Sequence, residues 1–372
     1  MYEKLIIILI IILVIILILY LLYQIIQSEK FKALRRLCNL NNKQLDAYFN
    51  SYNEIFSDNS MVSTLEDYKN NKPPSRFVIS KDNKPSEYTA NCYSILKDLC
   101  ALGNIKKMYI PSCIDSNKGV IENQILCEKK IALSLNVKPN GTLLELGCGC
   151  GRIAHHISNL TNCKVIGINI DNTQLEDARK YAKKNKTNNE FIFCDFNDRL
   201  PFEDNTFDGI YEFGAYTAFI SNFNNAFNEI FRILKPDARV IICDVILLDT
   251  FNRNNINHLK LLNNARPVMA GGNFIHYKYI EDIAKKAKFE IISSKGGDPP
   301  NEASELQLLK NEHAHFGKIE TLIKYLTKIY ILPNYMNNLI KRLRSGGDDL
   351  VELEEKNLLT MCWEFILEKP KN

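Results

Sequence analysis

The spacing of hydrophobic residues changes along the chain, and its first section is an unbroken apolar run. Residues Leu5–Leu22 are Leu, Ile and Val interrupted only by Tyr20, and no charged residue lies between Lys4 and Glu29. At about 1.5 Å per residue, a helix of this length reaches roughly 30 Å, the thickness of a bilayer's hydrocarbon core. The pattern predicts a single transmembrane anchor within residues 1–27.

A cleaved signal peptide is the alternative for this segment. Its apolar stretch would be about 7–15 residues long and would end at a small-residue cleavage site. The run here is longer, and Leu22–Ile26 offers no such site, so a retained anchor is favoured. Four basic residues follow the segment: Lys30, Lys32, Arg35 and Arg36. This excess of cations predicts that the C-terminal side faces the cytosol, with the endoplasmic reticulum as the expected membrane.

Between residues 120 and 250 the pattern alternates between strand and helix. A helical stretch precedes a first strand, and the strands are predicted at Thr142–Leu146, Lys164–Asn169, Glu190–Cys194, Phe207–Glu212 and Val240–Ile246. Strands that alternate with helices indicate parallel βαβ units. The sequence Thr173-Gln174-Leu175-Glu176 predicts a capping box where the helix after the second strand begins.

The flanking regions predict further elements on both sides of this alternation. They are a helix near Ser86–Leu102, a helix near Ile280–Lys288, a strand at Phe289–Ser293, a helical region at 304–344 and a last strand near Leu359–Glu368. The expected organisation is an anchor (1–27), a helical and linker region (28–115), a core (116–250) and a C-terminal covering region that completes the sheet (251–372).

Charge and cysteine usage exclude some classes of function. The formal net charge of +4 is small for 372 residues, so no nucleic-acid partner is expected. The eleven cysteines are odd in number, form no C-x-x-C, and have no histidine at zinc-site spacing. They predict neither a metal site nor a disulfide framework, and they fit a reducing compartment. The oligomeric state is not determined.

The strongest local signal is the segment Leu143–Ile153. A hydrophobic strand ends in Glu145, and Gly147, Gly149 and Gly151 follow at alternate positions before a helix. Glycine lets a backbone turn sharply and approach a ligand closely, and the helix start offers free N–H groups. A dinucleotide-binding loop is the alternative, but it would need a glycine in place of Arg152.

An acid two residues before G-x-G-x-G resembles the first motif of class I S-adenosylmethionine-dependent methyltransferases. Leu200–Asp208 and Glu229–Pro236 resemble the family's approaches to its fourth and fifth strands, although Asp237-Ala238 replaces the usual two glycines. The resemblance implies a Rossmann-like α/β fold, a seven-stranded sheet with helices on both faces, and S-adenosylmethionine as cofactor.

The same resemblance implies particular cofactor contacts. Glu145 would help to hold the amino-acid end, Asn169 stands where the family has a ribose-binding acid, and Asp195 stands where it binds the adenine amino group. The expected cofactor-binding residues are Glu145, Gly147, Gly149, Gly151, Asn169, Asp195 and Phe196.

Other segments resemble the sterol C-methyltransferase family: Val165–Asn172, Phe202–Asp208 and Ile230–Pro236. Upstream, Leu102–Pro111 and Glu122-Asn123-Gln124 resemble the branch with which nematodes methylate sterols at C-4. The G-W-G-x-S-F-H-F segment of the C-24 enzymes is absent, and Gly214 and Ala218 stand where those enzymes have an acid and a histidine. The resemblance therefore implies a sterol or other lipid as substrate, with C-4 favoured over C-24.

Methyl transfer to carbon needs a base and anions that stabilise transient positive charge. Glu212, Tyr216 and Asp244 fall at C-terminal strand ends, where open α/β sheets place their sites, and they are the predicted catalytic residues. Other roles stay open: Glu212 binding the cofactor's methionine end, Tyr216 packing a loop, and Asp244 capping a helix. Two alternative functions also stay open, namely a methyltransferase for another lipid or a small amine, and a non-catalytic scaffold of the same fold.

Overall fold

The computed structural model describes residues 2–56, 61–74, 85–103, 105, 107–269, 271–296 and 302–371. Its helices are α1 (Tyr2–Gln27), α2 (Glu29–Cys38), α3 (Asn42–Phe56), α4 (Leu65–Lys69), α5 (Pro85–Leu102), α6 (Val120–Ser134), α7 (Arg152–Thr161), α8 (Asn172–Asn185), α9 (Tyr216–Phe219), α10 (Phe223–Ile233), α11 (Ile256–Met269), α12 (Tyr277–Lys286), α13 (Glu302–Lys328), α14 (Tyr335–Arg344) and α15 (Gly347–Glu355). Its strands are β1 (Val62–Ser63), β2 (Thr142–Leu146), β3 (Lys164–Asn169), β4 (Glu190–Phe193), β5 (Phe207–Phe213), β6 (Leu234–Leu247), β7 (Phe274–Ile275), β8 (Glu290–Gly296) and β9 (Leu359–Glu368).

Seven of these strands form one sheet in the order β4-β3-β2-β5-β6-β9-β8. β2, β3, β4, β5 and β6 run parallel, and β9 runs antiparallel to both β6 and β8. Apolar clusters cover both faces, as expected for parallel strands joined by helices. The order of strands along the chain reverses between β2 and β5, which opens a crevice at their C-terminal ends. The predicted seven-stranded α/β sheet is confirmed.

The fifth parallel strand begins earlier than the sequence predicts. β6 starts at Leu234, which pairs with Phe207, and the register then shifts before Arg239 pairs with Gly209. Asp237 lies within this irregularity with φ +61°, a left-handed conformation that favours glycine. Its N–H donates to the carbonyl of Lys369 at 2.7 Å. The departure from the family's glycine pair is thus accommodated in one turn.

The capping box predicted at Thr173 is wrong. α8 begins at Asn172, and its N-cap is Asp171, whose side chain accepts from the N–H groups of Thr173 and Gln174 at 2.8 and 3.3 Å. An aspartate two residues earlier satisfies the first free N–H groups. Asp171 therefore takes the place that the sequence pattern assigned to Thr173.

The helical region predicted at 304–344 is two helices. α13 ends at Lys328, Tyr330 adopts a left-handed φ of +60°, and α14 begins after Pro333. A residue before proline is disfavoured in helical conformation, so the chain turns here. The sequence analysis did not identify α15.

A second body of helices packs against the crevice side of the sheet. α2, α3, α5, α13 and α14 share one apolar core, which includes Leu37, Leu99, Ile323 and Met336. Phe219, from α9 beside the sheet, belongs to the same cluster. These five helices, called the helical layer below, face the C-terminal ends of the strands.

The chain enters the helical layer directly from α1. Among the described residues, the segment Ile10–Gln27 is the one stretch of helix long and apolar enough to cross a membrane, by length and composition, and its side chains are exposed. Only Ser28 separates α1 from α2. Its hydroxyl accepts from the N–H of Phe31 at 3.2 Å and donates to the carbonyl of Ile25 at 2.6 Å.

Candidate active site

A cavity of about 630 Å³ lies between the C-terminal ends of the strands and the helical layer. The sheet side contributes the loops after β2, β3, β4 and β5. The helical layer contributes Arg36 from α2 and Tyr93, Lys97 and Asp98 from α5. The cavity occupies the crevice where the strand order reverses, the usual ligand site of open α/β sheets. Sequence reasoning missed the wall formed by α2 and α5, because helical periodicity does not show what a helix packs against.

The glycine loop after β2 forms the floor of this cavity. Gly147, Gly149 and Gly151 all have positive φ, at +72°, +50° and +69°. A Cβ at Gly147 would lie 2.6 Å from that of Ala215, and one at Gly151 would lie 2.6 Å from the Phe191 ring. Gly147 and Gly149 line the cavity, whereas Gly151 is the N-cap of α7 and packs inward.

The wall after β3 carries Asn169 and Asp171. The Asn169 side chain donates to Gln174 Oε1 at 3.2 Å and accepts from the N–H of Ile170 at 2.8 Å. Asp171 is 4% exposed, and while its Oδ1 caps α8, its buried Oδ2 has no hydrogen-bond partner. A buried acceptor at a cavity wall is suited to accept a hydrogen bond from a ligand's hydroxyl group. Sequence reasoning named Asn169 and gave no role to Asp171, although an aspartate two residues after a strand end was a usable signal.

The wall after β4 carries Phe196, whose ring packs edge-on against Tyr216 with 5.2 Å between centroids. The neighbouring Asp195 is not among the cavity-lining residues. Its Oδ1 accepts from the backbone and side-chain amides of Asn197 at 2.9 and 3.1 Å. The structure therefore brings Phe196 to the cavity, and the adenine contact of Asp195 stays a prediction.

Glu145 lies behind the glycine loop and does not line the cavity. It is 2% exposed and accepts a hydrogen bond of 3.3 Å from the Tyr211 hydroxyl. Burial raises the pKa of Glu145 to about 8. Glu145 is predicted to contact the cofactor's amino-acid end, whose ammonium group would give this buried carboxylate a cationic partner.

A second buried carboxylate, Glu128 of α6, connects the cavity wall to the core. Lys107 Nζ donates to both its oxygens at 2.6 and 2.5 Å, and the Tyr109 hydroxyl donates at 2.8 Å. His156 of α7 contacts it from the other side at 2.5 Å. Lys107 and Tyr109 line the cavity. The sequence analysis used their segment only for its resemblance and assigned them no role.

The three predicted catalytic residues lie one layer behind the cavity wall. Glu212 is fully buried and accepts from the N–H groups of Ala215 and Tyr216 at 2.9 and 3.1 Å. Asp244 accepts from the N–H and hydroxyl of Thr217 at 3.0 and 2.5 Å. These carboxylates hold the segment 213–219, which supplies Phe213, Gly214, Ala215 and Phe219 to the cavity.

Burial shifts the titration of both carboxylates. It raises the pKa of Asp244 to about 6, and it raises that of Glu212 well above its usual range, with the nearby Asp244 charge adding to the effect. The hydroxyl of Tyr216 is buried without a hydrogen-bond partner. The catalytic roles of Glu212, Tyr216 and Asp244 stay predictions.

A smaller cavity of about 100 Å³ adjoins the first one. Both cavities are lined by Tyr93, Met108, Tyr109 and Gly214. The other lining residues are apolar or thiol side chains: Leu96, Cys100, Ile105, Ile110, Cys243, Val245, Val268, Met269, Met361 and Cys362. All eleven cysteines are free, and in the described part of the chain no three His, Cys, Asp or Glu side chains form a group that could hold a metal ion.

Comparison with known proteins identifies the class of this fold. A sequence profile described as "Methyltransferase domain" matches residues 137–285. A cyclopropane synthase from Mycobacterium tuberculosis superposes with a TM-score of 0.60 at 14% identity, covering 72% of this chain and 91% of that one. A geranyl diphosphate methyltransferase, solved with S-adenosylmethionine, superposes with a TM-score of 0.53 at 12% identity over 67% and 87% of the two chains. The chain has the class I methyltransferase fold.

Sequence relatives identify the activity. A sterol 24-C-methyltransferase from the yeast Kluyveromyces lactis is 26% identical over 268 residues, which cover 66% of this chain and 71% of that protein. The chain is an S-adenosylmethionine-dependent methyltransferase.

The residues present fit this cofactor. Gly147 and Gly149 line the cavity with bare backbone, the buried Asp171 Oδ2 can accept a hydrogen bond from a ribose hydroxyl, and Phe196 offers an apolar face to an adenine. When bound, the cofactor supplies a methyl group already activated on a sulfonium. The protein's own task is to align an acceptor atom with it.

Proposed function

We propose that this chain is a membrane-anchored methyltransferase that transfers a methyl group to a carbon of a sterol, at C-4 in preference to C-24. The observation that carries the proposal is the small apolar cavity beside the cofactor cavity, with Gly214 and Tyr109 shared between them. A rigid ring system needs a mostly apolar site with few polar groups to orient it. Its relatives named as sterol methyltransferases support the same substrate class.

A sterol would occupy more than the small cavity alone. That cavity measures about 100 Å³, whereas sites for drug-sized ligands measure about 300–1,000 Å³. The sterol therefore extends through the shared wall into the larger cavity, or the end of α11, which contributes Val268 and Met269, moves outward. Either arrangement puts the sterol's reacting end near the glycine loop.

The preference for C-4 rests on two positions that carry no charge. Gly214 lines both cavities, and Ala218 is buried nearby, where the C-24 enzymes have an acid and a histidine. Alkylation of a side-chain double bond builds up positive charge, which an anion at the site would stabilise. The missing carboxylate makes this chain poorly suited to that reaction.

The proposed general base is Asp244, with Glu212 as the next candidate and Tyr216 as a hydrogen-bond donor. A pKa of about 6 makes Asp244 a base near neutral pH. To reach a substrate proton, it must exchange its bond to Thr217 for one to the substrate. Because α9 is one turn long, only that turn needs to shift.

The proposed location is the cytosolic face of the endoplasmic reticulum, with α1 as a single membrane span. The apolar segment Ile10–Gln27 supports the anchor, and the cations of α2 support the orientation. Sterols partition into bilayers, so an anchored enzyme stays where its substrate is dissolved.

Mass spectrometry tests the substrate and the position together. The full-length protein, in vesicles containing a mixed sterol pool, is incubated with S-adenosylmethionine labelled with deuterium in its methyl group. We expect labelled sterols whose fragments carry the label in the ring nucleus. A Met361→Lys variant, which puts a charge in the apolar cavity, should lose this product while still binding the cofactor, and Leu133→Lys, at an exposed site on α6, should retain it.

Other products would contradict parts of the proposal. Deuterium label in the sterol side chain would show that the enzyme methylates C-24 and not C-4. Label only in other lipids or in small amines such as phosphoethanolamine, with no labelled sterol, would rule out the sterol substrate.

A further inference from the structure

The last two turns of α13 and the residues after them carry large apolar side chains that the fold leaves uncovered. Their exposed fractions are 57% for Leu322, 60% for Tyr325, 43% for Ile329, 91% for Tyr330 and 63% for Ile331. Leu322 and Tyr325 are three residues apart on α13. Ile329 follows four residues later, just past the helix end, where its N–H still donates to the carbonyl of Tyr325 at 3.2 Å, so the three side chains lie on one side. These five residues are called the α13 stripe below.

The five residues of the stripe are not part of the apolar core of the helical layer. The opposite face of α13 is buried through Phe316 and Ile323, and Leu332 returns the chain to the same core directly after the stripe. A monomeric soluble protein rarely exposes a contiguous group of large apolar residues without a partner. The stripe therefore marks an interaction surface.

The charges around the stripe indicate which kind of partner it fits. Lys318, Lys324 and Lys328 are exposed on this part of α13. The only acidic residue between positions 317 and 335 is Glu320, which is 8% exposed and paired with Arg344 at 2.8 Å and with Lys324. Tyrosine and aliphatic side chains surrounded by lysines suit the boundary between acyl chains and anionic headgroups.

The membrane helix α1 leads directly into the helical layer that carries the stripe. α2 begins one residue after α1 ends, and Leu37 of α2 shares a cluster with Leu332 and Met336. The Tyr335 hydroxyl also donates to the carbonyl of Leu37 at 2.9 Å. Insertion of α1 would therefore bring the body that carries the stripe to the membrane surface, where a weak apolar contact is enough to dock the stripe.

We propose that the α13 stripe is a second membrane contact, which seats the helical layer on an anionic bilayer surface. The inference rests on the membrane anchor proposed above and is independent of the sterol substrate. A second copy of the chain or a soluble partner would also cover apolar side chains, but an anionic bilayer surface in addition attracts the exposed Lys318 and Lys328, which have no exposed acid beside them within residues 317–335.

The protein contains a single tryptophan, Trp363, which is stacked on Tyr277 and donates to Ser294. A tryptophan added elsewhere can therefore be followed by its fluorescence. Three full-length variants, Tyr20→Trp in α1, Tyr330→Trp in the stripe and Leu133→Trp on an exposed face of α6, are reconstituted into vesicles of phosphatidylcholine and phosphatidylserine. Brominated phosphatidylcholine, which quenches tryptophan only on contact with acyl chains, then replaces part of the lipid.

We expect strong quenching for Tyr20→Trp, severalfold stronger quenching for Tyr330→Trp than for Leu133→Trp, and a loss of most of the Tyr330→Trp quenching when Lys318, Lys324 and Lys328 are changed to Glu. Quenching of Tyr20→Trp without quenching of Tyr330→Trp would overturn the second contact while leaving the anchor in place. Quenching of neither would overturn both. A blue shift of the Tyr330→Trp emission that grows with protein concentration and ignores brominated lipid would assign the stripe to a second copy instead.

Discussion

The two walls of the cofactor cavity are built on different physical principles. On the sheet side, backbone conformation forms the wall, through glycines at positive φ and a short helix held by buried carboxylates. On the side of the helical layer, long side chains form it, and ion pairs such as Arg36–Asp98 and Lys97–Asp177 hold them in place. Backbone geometry changes little with solvent, whereas partly exposed ion pairs contribute little energy and are screened by salt. We therefore expect substitutions on the sheet side to be severe and those on the helical side to be mild.

The largest effect is expected from Asp244→Asn, which keeps the size of the side chain and removes its basicity. If Asp244 is the base, turnover should fall by about 10²–10⁴-fold with cofactor affinity little changed. In the parent enzyme, kcat should rise with pH through about 6, because the base must be deprotonated. Asp46→Asn, at an exposed position on α3, is the matched control. A loss of turnover below tenfold, with an unchanged pH profile of kcat, would show that Asp244 is not the base and only accepts hydrogen bonds from Thr217.

The buried Glu145 should make stability depend on pH. Its pKa is raised to about 8 in the folded protein from 4.5, so between these values the folded state holds a proton that the unfolded state has lost. Stability therefore falls as pH rises through this window, by on the order of 5 kcal/mol in total. Glu145→Gln should reduce the slope between pH 6 and 8 in urea unfolding, and the exposed Glu190→Gln should not. An unchanged slope in Glu145→Gln would assign the proton to another group.

Gly147→Ala tests the role of the backbone directly. An alanine at φ +72° is strained, and its Cβ would lie 2.6 Å from that of Ala215. Cofactor affinity in calorimetry should fall about a hundredfold, equivalent to about 3 kcal/mol. Gly296→Ala is the control, since its added Cβ would meet only Trp363 at 3.6 Å. Equal affinities in the two variants would show that the loop adapts and that the cradle is not rigid.

The smallest effect is expected on the helical side, from Arg36→Lys. Arg36 donates to Asp98 through Nε at 2.9 Å and Nη2 at 2.6 Å, a fork that lysine lacks. Because half of the Arg36 side chain is exposed, stability should fall by less than about 1 kcal/mol. Arg35→Lys, on an exposed neighbouring position, should be neutral. If cofactor affinity, measured in the same calorimetry, fell further in Arg36→Lys than in Gly147→Ala, the contrast between the two walls would be reversed.

The sheet side was also the more predictable of the two. β2 and β3 have the predicted bounds because each is a short apolar run, of five and six residues, in a chain that alternates strands with helices. The glycines of the loop are a signal in the sequence because only glycine suits their φ. Asp237 shows the limit of that reasoning, since an aspartate adopts the left-handed conformation where glycine was expected.

The cavity wall formed by the helical layer could not be predicted, because the sequence does not show which helices pack together in the folded chain. Nothing in the spacing of Arg36 or Tyr93 shows that these residues, 57 positions apart, line one cavity. Likewise, Glu212 and Asp244 were expected at strand ends, and they are there, but only packing shows that they lie behind the segment 213–219. The choice of Asp171 over Thr173 as N-cap shows that two plausible caps only two residues apart compete on geometry alone.

The junction at Ser28 has a consequence for the kinetics of the membrane-anchored enzyme that we propose. α2 forms part of the cavity wall and is ten residues long, so the cavity lies within about 15 Å of the point where the chain leaves α1. An enzyme attached in this way meets a membrane-dissolved substrate by a search in two dimensions. Its rate depends on the mole fraction of that substrate among the lipids, and not on the amount per volume of suspension. Adding inert phospholipid at constant total substrate would therefore slow the reaction by surface dilution, with no change in the protein itself.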